Sequence, residues 1–137
     1  MKVAVTSRGP DLGAELDPRF GRARFFVVVD TETDRSTVHD NKGNLNALGY
    51  AGIKAAEAVL KLGAHAVITG NVGPKALATL KAGNVKVYVG AAGQVRQALE
   101  QFRRGQLECT REPTVQGHWM QALDMQRFSS SDKQERR

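Results

Sequence analysis

Three arginines precede a continuous apolar run in the segment DPRFGRARFFVVVD, residues 17–30. The guanidinium groups of Arg19, Arg22 and Arg24 are permanent positive charges whose N–H donors bind anions with defined geometry. The run at residues 25–29 is apolar throughout, which is typical of a strand buried on both faces. The segment therefore predicts a cationic turn at the mouth of a rigid strand, where an anion would bind. Solvated loop charges are the alternative interpretation.

Two glycine-containing loops follow predicted strands and open predicted helices: GNVGP at residues 70–74 and GAAG at residues 90–93. Free N–H groups and the positive end of the helix dipole gather at such junctions, and glycine lets a ligand approach the backbone. If the two strands are parallel neighbours, both loops lie at the sheet edge where open α/β proteins bind ligands. Tight turns without a ligand are the alternative. The candidate residues in these loops are Asn71, Gly73, Gly90 and Gly93.

Several catalytic chemistries lack their motifs in this chain. There is no GxxxxGK[ST] sequence, and no GxGxxG turn follows the first predicted strand, residues 2–6. Asp11, Asp17 and Asp30 are too scattered along the chain to predict a two-metal nuclease site. Ser7 has no evident base partner for nucleophilic catalysis. An enzyme that binds phosphates or nucleotides through the two glycine loops stays open as an alternative.

Two of the three histidines have a predicted place in the fold. His39 ends the second strand of a predicted hairpin, beside the polar segment 40–46, and is either a metal ligand or a surface residue. His65 begins an apolar strand, which favours a structural role. His39 is therefore the metal-ligand candidate within the predicted domain.

A second group of soft donors lies near the end of the chain. His118, Trp119 and Met120 occur together in the sequence GHWM, and His118 follows Cys109 by nine residues. Imidazole, thioether and thiolate groups suit copper or a sulfur-bridged metal. Their spacing matches no regular metal-binding motif, so packing of Trp119 against the domain is the alternative.

The chain is basic, with 20 Lys and Arg against 14 Asp and Glu and a formal net charge of +6. This balance favours an anionic partner: a nucleic acid, a membrane surface or a small molecule. Only 6% of residues are aromatic and no aromatic-plus-basic RNA motif is present, which argues against a nucleic-acid-binding module. With one cysteine, no signal-like start and no long apolar run, we expect a cytoplasmic protein without a membrane span.

Alternating strands and helices predict a three-layer α/β/α domain with a mixed sheet, since an early antiparallel hairpin precedes parallel crossovers. Residues 107–110 are either one more short strand or part of an extended arm. The polar segment 121–137 has no sustained apolar stripe and predicts a disordered tail. The expected organisation is a domain at 1–107, an arm at 108–120 and this tail. The predicted strands are 2–6, 25–31, 36–39, 64–69 and 85–89, and the predicted helices are 49–62, 74–82 and 94–103.

Four segments, which cover most of residues 1–107 in order, resemble the dinitrogenase iron–molybdenum cofactor biosynthesis family. That family includes X-type cofactor carriers, the C-terminal domain of the B-type cofactor enzyme and molybdenum–copper orange proteins. The matching segments are MKVAVTS, ELDPRFGRARFFVVVDTET, GYAGIKAAEAVLKLGAHAVITGNVGPKALATLK and VKVYVGAAGQVRQALEQFRRGQL. The resemblance implies a ribonuclease H-like fold with five strands and no nuclease activity.

The resemblance also implies a non-catalytic carrier of a preformed, anionic metal–sulfur cluster that contains molybdenum with copper or iron. It implies cofactor-assembly or ATPase partner proteins, with nucleic acid as an unlikely partner. His39 is the nearest candidate for the family's metal ligand. Carried over by position, the cluster-binding residues are Arg19, Phe20, Gly21, Arg22, Arg24, Asn41, Lys42, Asn71, Gly73, Gly90 and Gly93.

Overall fold

The computed structural model describes residues 1–45 and 49–115 of the chain. The predicted segment 121–137 and the residues His118, Trp119 and Met120 lie outside the described residues. The strands are β1 (Lys2–Ser7), β2 (Phe25–Asp30), β3 (Ser36–Asp40), β4 (Ala66–Ile68), β5 (Lys86–Val89) and β6 (Glu108–Thr110). The helices are α1 (Ala51–Lys61), α2 (Pro74–Ala82) and α3 (Val95–Arg103), and single 3-10 turns occupy Phe20–Arg22 and Lys42–Asn44.

The strands form one mixed sheet in the order β3-β2-β1-β4-β5-β6. β1, β4 and β5 are parallel neighbours, as the alternation of strands and helices predicted. β2 is antiparallel to both β1 and β3, which confirms the predicted hairpin.

The predicted number of five strands is wrong, because β6 pairs antiparallel with β5 and makes a sixth. The alternative of a strand at residues 107–110 is therefore correct. Its three residues, Glu108, Cys109 and Thr110, are too few to show an alternating pattern. They become a strand because β5 offers an unpaired row of backbone N–H and C=O groups.

Helices cover both faces of the sheet, so the predicted three-layer α/β/α arrangement is confirmed. On one face α1 and α2 bury a core that includes Phe20, Phe26 and Leu80. On the other face α3 buries a second core around Val5, Ile68 and Val95. Among the described residues, no helix is long and apolar enough to cross a membrane.

The register of the sheet brings distant segments to one edge, which we call the carboxyl edge because β1, β4 and β5 end there. Ser7 at the end of β1 pairs with Phe25 at the start of β2, and Phe25 pairs with Asp40 at the end of β3. The arginine-rich turn before β2 and the polar segment after β3 therefore lie at the same edge as the two glycine loops.

Candidate functional site

The arginine-rich turn and the GNVGP loop are in direct contact at the carboxyl edge. The Asn71 N–H donates to the Pro18 carbonyl at 2.7 Å, and the Phe20 N–H donates to the Asn71 carbonyl at 3.3 Å. The contact requires glycine at position 70, since a Cβ there would lie 2.7 Å from Pro18 Cα. The turn and the loop, which are about fifty residues apart in the sequence, are thus joined by backbone hydrogen bonds.

A second close approach joins this turn to the starts of α1 and α2. A Cβ at Gly21 would lie 2.9 Å from Gly52 Cα, and a Cβ at Gly52 would lie 3.3 Å from Ala76 Cβ. Phe20, beside Gly21, is buried in the core with its ring 5.6 Å from that of Phe26. The structure therefore places Phe20 and Gly21, both candidate binding residues, in packing contacts that hold the site together.

Arg19 is paired with a carboxylate of the same turn. Its Nε and Nη2 atoms donate to the two carboxylate oxygens of Asp17 at 3.2 and 3.3 Å, and its backbone N–H donates to Oδ1 at 3.0 Å. Asp17 is only 2% exposed. A buried carboxylate requires such compensation. Arg19 therefore neutralises Asp17 and shapes the turn, and contributes little net positive charge to the edge.

Arg24 is paired in the same way. Its Nε and Nη2 atoms donate to the Asp40 carboxylate at 3.1 and 3.2 Å, and its guanidinium lies 4.8 Å from the centre of the Phe25 ring. The hydrogen bond from Arg24 lowers the pKa of Asp40 below its ordinary value, and the Lys42 backbone N–H lowers it further. The same hydrogen bond raises the pKa of Arg24. This pair joins the start of β2 to the end of β3.

Three exposed basic side chains lie in or beside the arginine-rich turn, the polar segment and the GNVGP loop: Arg22, Lys42 and Lys75. Arg8, directly after β1, and Arg96, in the first turn of α3, are also exposed at the carboxyl edge. Within residues 1–45 and 49–115, none of the three forms an ion pair. Arg22 Nη1 donates to the Leu45 carbonyl at 2.9 Å, and Lys75 Nζ lies 5.9 Å from the centre of the Tyr50 ring. These contacts place the Arg22 guanidinium beside Leu45 and the Lys75 ammonium beside Tyr50, the residue before α1.

Sequence reasoning missed Lys75. The residue follows Gly73 and Pro74 directly, and it is the second residue of α2. Any side chain in the first turn of a helix that follows a parallel strand lies at the carboxyl edge. The sequence signal for Lys75 was therefore a lysine directly after the glycine and proline that begin a helix.

Asn41 supports the polar segment from inside the protein. It is 1% exposed, and its side-chain amide donates to the Ala23 carbonyl at 2.9 Å. Its backbone N–H donates to the Arg24 carbonyl at 2.7 Å, and its side-chain oxygen accepts from Asn44 at 2.8 Å. Asn41 therefore positions the neighbouring Lys42, whose side chain is exposed.

The two glycine loops are neighbours, as predicted. The Gly90 N–H donates to the Gly70 carbonyl at 3.0 Å, and the Ala91 N–H donates to the Thr69 carbonyl at 3.3 Å. Gly90 and Gly93 adopt positive φ angles of 83° and 87°. That conformation favours glycine, so it accounts for the presence of glycine at both positions without a ligand.

The first backbone N–H groups of α2 and α3 differ in whether they have hydrogen-bond acceptors. At α3, the N–H groups of Val95 and Arg96 donate to the carbonyls of Ala14 and Leu12, each at 2.9 Å. At α2, the N–H groups of Lys75 and Ala76 have no hydrogen-bond partner in the described part of the chain. The N–H group of Lys75, an exposed residue, is therefore a donor available to an anion at the start of α2, whereas Ala76 is buried.

His39, near the end of β3, lies beside α1. Its ring stacks on Phe26 with 6.3 Å between ring centres, and it borders an open cavity of about 350 Å³. No group of three or more His, Cys, Asp and Glu side chains that could hold a metal ion occurs in the ranges described. The cavity is lined by His39, Asn44, Lys54, Glu57, Ala58, Lys61 and Leu62.

The remaining sulfur and imidazole groups lie elsewhere. Nδ1 of His65 accepts a hydrogen bond from the Lys2 backbone N–H at 3.1 Å, the structural role that its sequence position favoured. Cys109 is exposed on β6, at the end of the sheet.

The described residues thus form a three-layer α/β protein with exposed basic side chains, and a helix start without acceptors among them, at one sheet edge, an arrangement suited to binding an anion. Residues 1–105 match the model of the dinitrogenase iron–molybdenum cofactor family, and the chain belongs to that family. The resemblance seen in the sequence is confirmed. Membership supports a role in iron–molybdenum cofactor biosynthesis or in carrying metal clusters.

Two solved structures and one sequence relative are similar to this chain. The apo form of the orange protein from Desulfovibrio gigas has 43% sequence identity and a TM-score of 0.80, over 82% of this chain and 95% of that chain. A NifB-like protein of the DUF35 family from Thermotoga has 31% identity and a TM-score of 0.65, over 79% and 91% of the two chains. An uncharacterized protein of Methanocaldococcus jannaschii is 28% identical over 111 residues, 79% of this chain and 90% of its own length.

Proposed function

We propose that this protein carries a preformed, anionic metal–sulfur cluster at the carboxyl edge and catalyses no reaction on it. The cluster would contain molybdenum with copper or iron. The proposal rests on family membership and on the similarity to the orange protein. The proposal also includes partner proteins that load the cluster onto the carrier and remove it. The family resemblance implies cofactor-assembly and ATPase proteins as candidates for this role.

One structural observation carries the proposal: exposed cations from three segments lie at the same sheet edge as the open start of α2. Arg22, Lys42 and Lys75 are exposed and form no ion pair with any described residue, while Arg19 and Arg24 are neutralised by carboxylates. The backbone donors of Lys75 and Ala76 add the positive end of a helix dipole. Positive charge and free N–H groups therefore coincide at one place.

This chemistry suits a cluster that brings its own sulfide ligands. Guanidinium, ammonium and backbone N–H groups donate hydrogen bonds to an anion without displacing its ligands. Such contacts form and break readily, as release to a partner requires. In this proposal Asn71 and Gly73 lie beside the cluster, Gly90 and Gly93 support the loop, and His39 is a candidate metal ligand from the neighbouring cavity.

The proposal also keeps the ribonuclease H-like assignment of the fold, without nuclease activity. Its support is the order of the first five strands, β3-β2-β1-β4-β5, in which β2 runs antiparallel to its neighbours. The sixth strand would then be an addition at the edge of that sheet.

The test is anaerobic titration of the full chain with tetrathiomolybdate and Cu(I), followed by absorption spectroscopy. We expect a charge-transfer band that saturates at a fixed metal-to-protein ratio. If no such band forms with this cluster or with isolated iron–molybdenum cofactor, the proposed function is wrong.

A matched pair of triple variants tests the location. The site variant replaces Arg22, Lys42 and Lys75 with alanine, and the control replaces Lys2, Arg35 and Lys86, which are also exposed but lie at the opposite sheet edge. Both lose three positive charges. We expect the site variant to bind at least about tenfold more weakly than the control, a difference of about 1.4 kcal/mol. Equal weakening would mean that overall charge, and not this edge, attracts the cluster.

A further inference from the structure

β3 is the outer strand at one end of the sheet, and one side of its backbone faces away from the protein. The sheet order begins with β3, and β2 is its one strand neighbour within the described ranges. At the other end of the sheet β6 has three residues, whereas β3 has five. The β3 sequence STVHD contains neither proline nor lysine, the residues that commonly prevent pairing at an edge strand. The outer side of β3 therefore offers its backbone groups to another strand.

Two hydrogen bonds at the ends of β3 show which of its residues face outward. The Arg35 carbonyl accepts from the Asp30 N–H at 2.9 Å, and the Asn41 N–H donates to the Arg24 carbonyl at 2.7 Å. Because hydrogen-bonded and non-hydrogen-bonded pairs alternate along an antiparallel ladder, every odd-numbered residue between them also faces β2. The backbone groups that point away from β2 belong to the even-numbered residues Ser36, Val38 and Asp40.

An apolar row of side chains crosses the sheet and ends at this outer strand. Val38 pairs with Val27 of β2, and Val27 pairs with Val5 of β1. Val5 in turn pairs with Ile68 of β4. The three inner residues are fully buried in the core under α3, whereas Val38 is 44% exposed. The row is therefore incomplete at its outer end, where one more apolar side chain would cover Val38.

We propose that the outer side of β3 binds the β3 strand of a second copy of this chain, in the antiparallel direction and centred on Val38. Ser36 and Asp40 are equally far from Val38 in the sequence, so this pairing gives every outward-facing residue of β3 a partner. Each pair exchanges two backbone hydrogen bonds. Val38 lies against Val38 of the second copy, and the apolar row continues through both molecules.

The side chains of β3 are complementary to themselves in this pairing. The Ser36 hydroxyl of one copy lies opposite the Asp40 carboxylate of the other, so a donor faces an acceptor. On the other face of the sheet Thr37 lies opposite His39, and no two like charges are opposed. Parallel pairing in register would instead place the two Asp40 carboxylates side by side. The sequence of β3 therefore favours a second copy over an unrelated strand.

The first measurement is sedimentation of the full chain without added metal. One pair of five-residue strands makes a small interface, and the net charge of +6 on each copy opposes association. We therefore expect a reversible dimer with a dissociation constant on the order of 100 μM. Between about 10 μM and about 1 mM the mean mass should rise toward that of the dimer. A chain that stays monomeric over this range overturns the inference, and the edge is then open or covered by a different segment.

A pair of lysine variants locates the interface in the same experiment. Val38→Lys places a charge at the centre of the strand and should weaken association at least about tenfold. Ala78→Lys adds the same charge at an exposed position on α2 and should leave association unchanged. Circular dichroism establishes that both variants are folded. Equal association of the two variants overturns the inference.

The second measurement tests the register with introduced cysteines in a Cys109→Ser background, since Cys109 is the one cysteine of the chain. Hydrogen-bonded antiparallel partners have Cα atoms about 5.5 Å apart, which a disulfide spans, whereas diagonal neighbours are about 7–8 Å apart, at or beyond its limit. Val38→Cys meets its own copy directly, while Thr37→Cys meets its own copy on the diagonal. Under mild oxidation we expect Val38→Cys to form a linked dimer at least about tenfold faster. Linkage of Thr37→Cys at an equal or higher rate overturns the inference.

Neither measurement includes a metal–sulfur cluster, so their outcomes are independent of the proposed function.

Discussion

The two glycine loops share a sequence pattern and a sheet edge, yet within the described residues only the GNVGP loop leaves the first N–H groups of its helix without acceptors. In both, a parallel strand ends, glycines turn the chain and a helix begins. At α3 the first N–H groups donate to Ala14 and Leu12, whereas at α2 those of Lys75 and Ala76 have no partner among the described residues. The comparison teaches that a glycine loop predicts where backbone donors lie, while a distant segment decides whether they are available.

That distant segment is the loop between β1 and β2. The Leu16 N–H donates to the Gly93 carbonyl at 2.8 Å, and the Leu16 side chain is buried in the core below α3. The loop is held there by backbone hydrogen bonds and one apolar side chain. Neither leaves a recognisable motif, so the sequence could not show that this helix start is covered.

The largest expected effect comes from glycine substitutions within the open loop. A Cβ at Gly70 would lie 2.7 Å from the Cα and Cβ atoms of Pro18, whereas a Cβ at Gly73 would meet no atom within 4 Å. We expect Gly70→Ala to lower the free energy of unfolding by about 3 kcal/mol, because backbone must move. Gly73→Ala, the control in the same loop, should lower it by less than about 1 kcal/mol, because it loses only the preference for glycine over alanine at the residue before the helix. Urea unfolding measures both, and equal effects would contradict the contact between turn and loop.

A smaller effect is expected in the covered loop, where glycine is required for a different reason. Gly90 has a φ of +83°, and a Cβ there would meet no atom within 4 Å. Gly90→Ala should therefore cost only the strain of a left-handed backbone, about 1 to 2 kcal/mol. A loss of stability as large as that of Gly70→Ala, again by urea unfolding, would mean that the two loops do not differ in this way.

The difference in availability can be tested with two residues that occupy equivalent positions. Lys75 and Arg96 are each the second residue of their helix, and both are exposed. We expect Lys75→Ala to weaken binding of the molybdenum–copper–sulfide cluster about fivefold, since one contact from an exposed charge contributes about 1 kcal/mol. Arg96→Ala should leave binding unchanged, because the α3 start is covered. A larger loss for Arg96→Ala in the same absorption titration would place the site at the other loop.

The smallest expected effect concerns Arg24 and Asp40, a pair that shapes the edge without leaving free charge. The pKa of Asp40 is lowered in the folded protein, chiefly by the hydrogen bond from Arg24. The pair therefore stabilises the fold at pH values above the ordinary aspartate pKa, about 3.9, and this contribution is lost as pH falls through the lowered pKa. Urea midpoints of the unmodified chain and of Asp40→Asn should differ slightly at pH 7 and converge in strong acid. A difference that persists at low pH would assign the effect to something other than ionisation.

Much of the fold follows from local patterns. The apolar run at residues 25–29 and the turn after it predicted the β2–β3 hairpin, and the alternation from residue 49 onward predicted the parallel strands and three helices. β6 was uncertain, because three residues without apolar alternation become a strand only when a partner edge is present.

The sequence predicted where the site lies, but it did not predict which of its arginines are paired with carboxylates. The arginine-rich turn, the polar segment and both loops do lie at one edge. However, residue type does not reveal pairing: Arg19 and Arg24 are neutralised by Asp17 and Asp40, while Arg22 has no carboxylate partner among the described residues. Asp17 is close to Arg19 in the sequence, whereas Asp40 meets Arg24 only through the register of β2 and β3.

The sixth strand and residues 111–115, which bond to the GNVGP loop through Thr114, have a practical consequence for experiments on fragments of this protein. The family match ends at residue 105, but β6 covers the edge of β5, and Thr114 satisfies the backbone of Val72. A fragment that ends at residue 105 would lack β6 and expose the N–H and C=O groups of β5, which could then pair with a strand of another copy. Binding measurements on such a fragment would therefore report self-association as well as cargo binding. The smallest dependable unit for experiments therefore extends through residue 115.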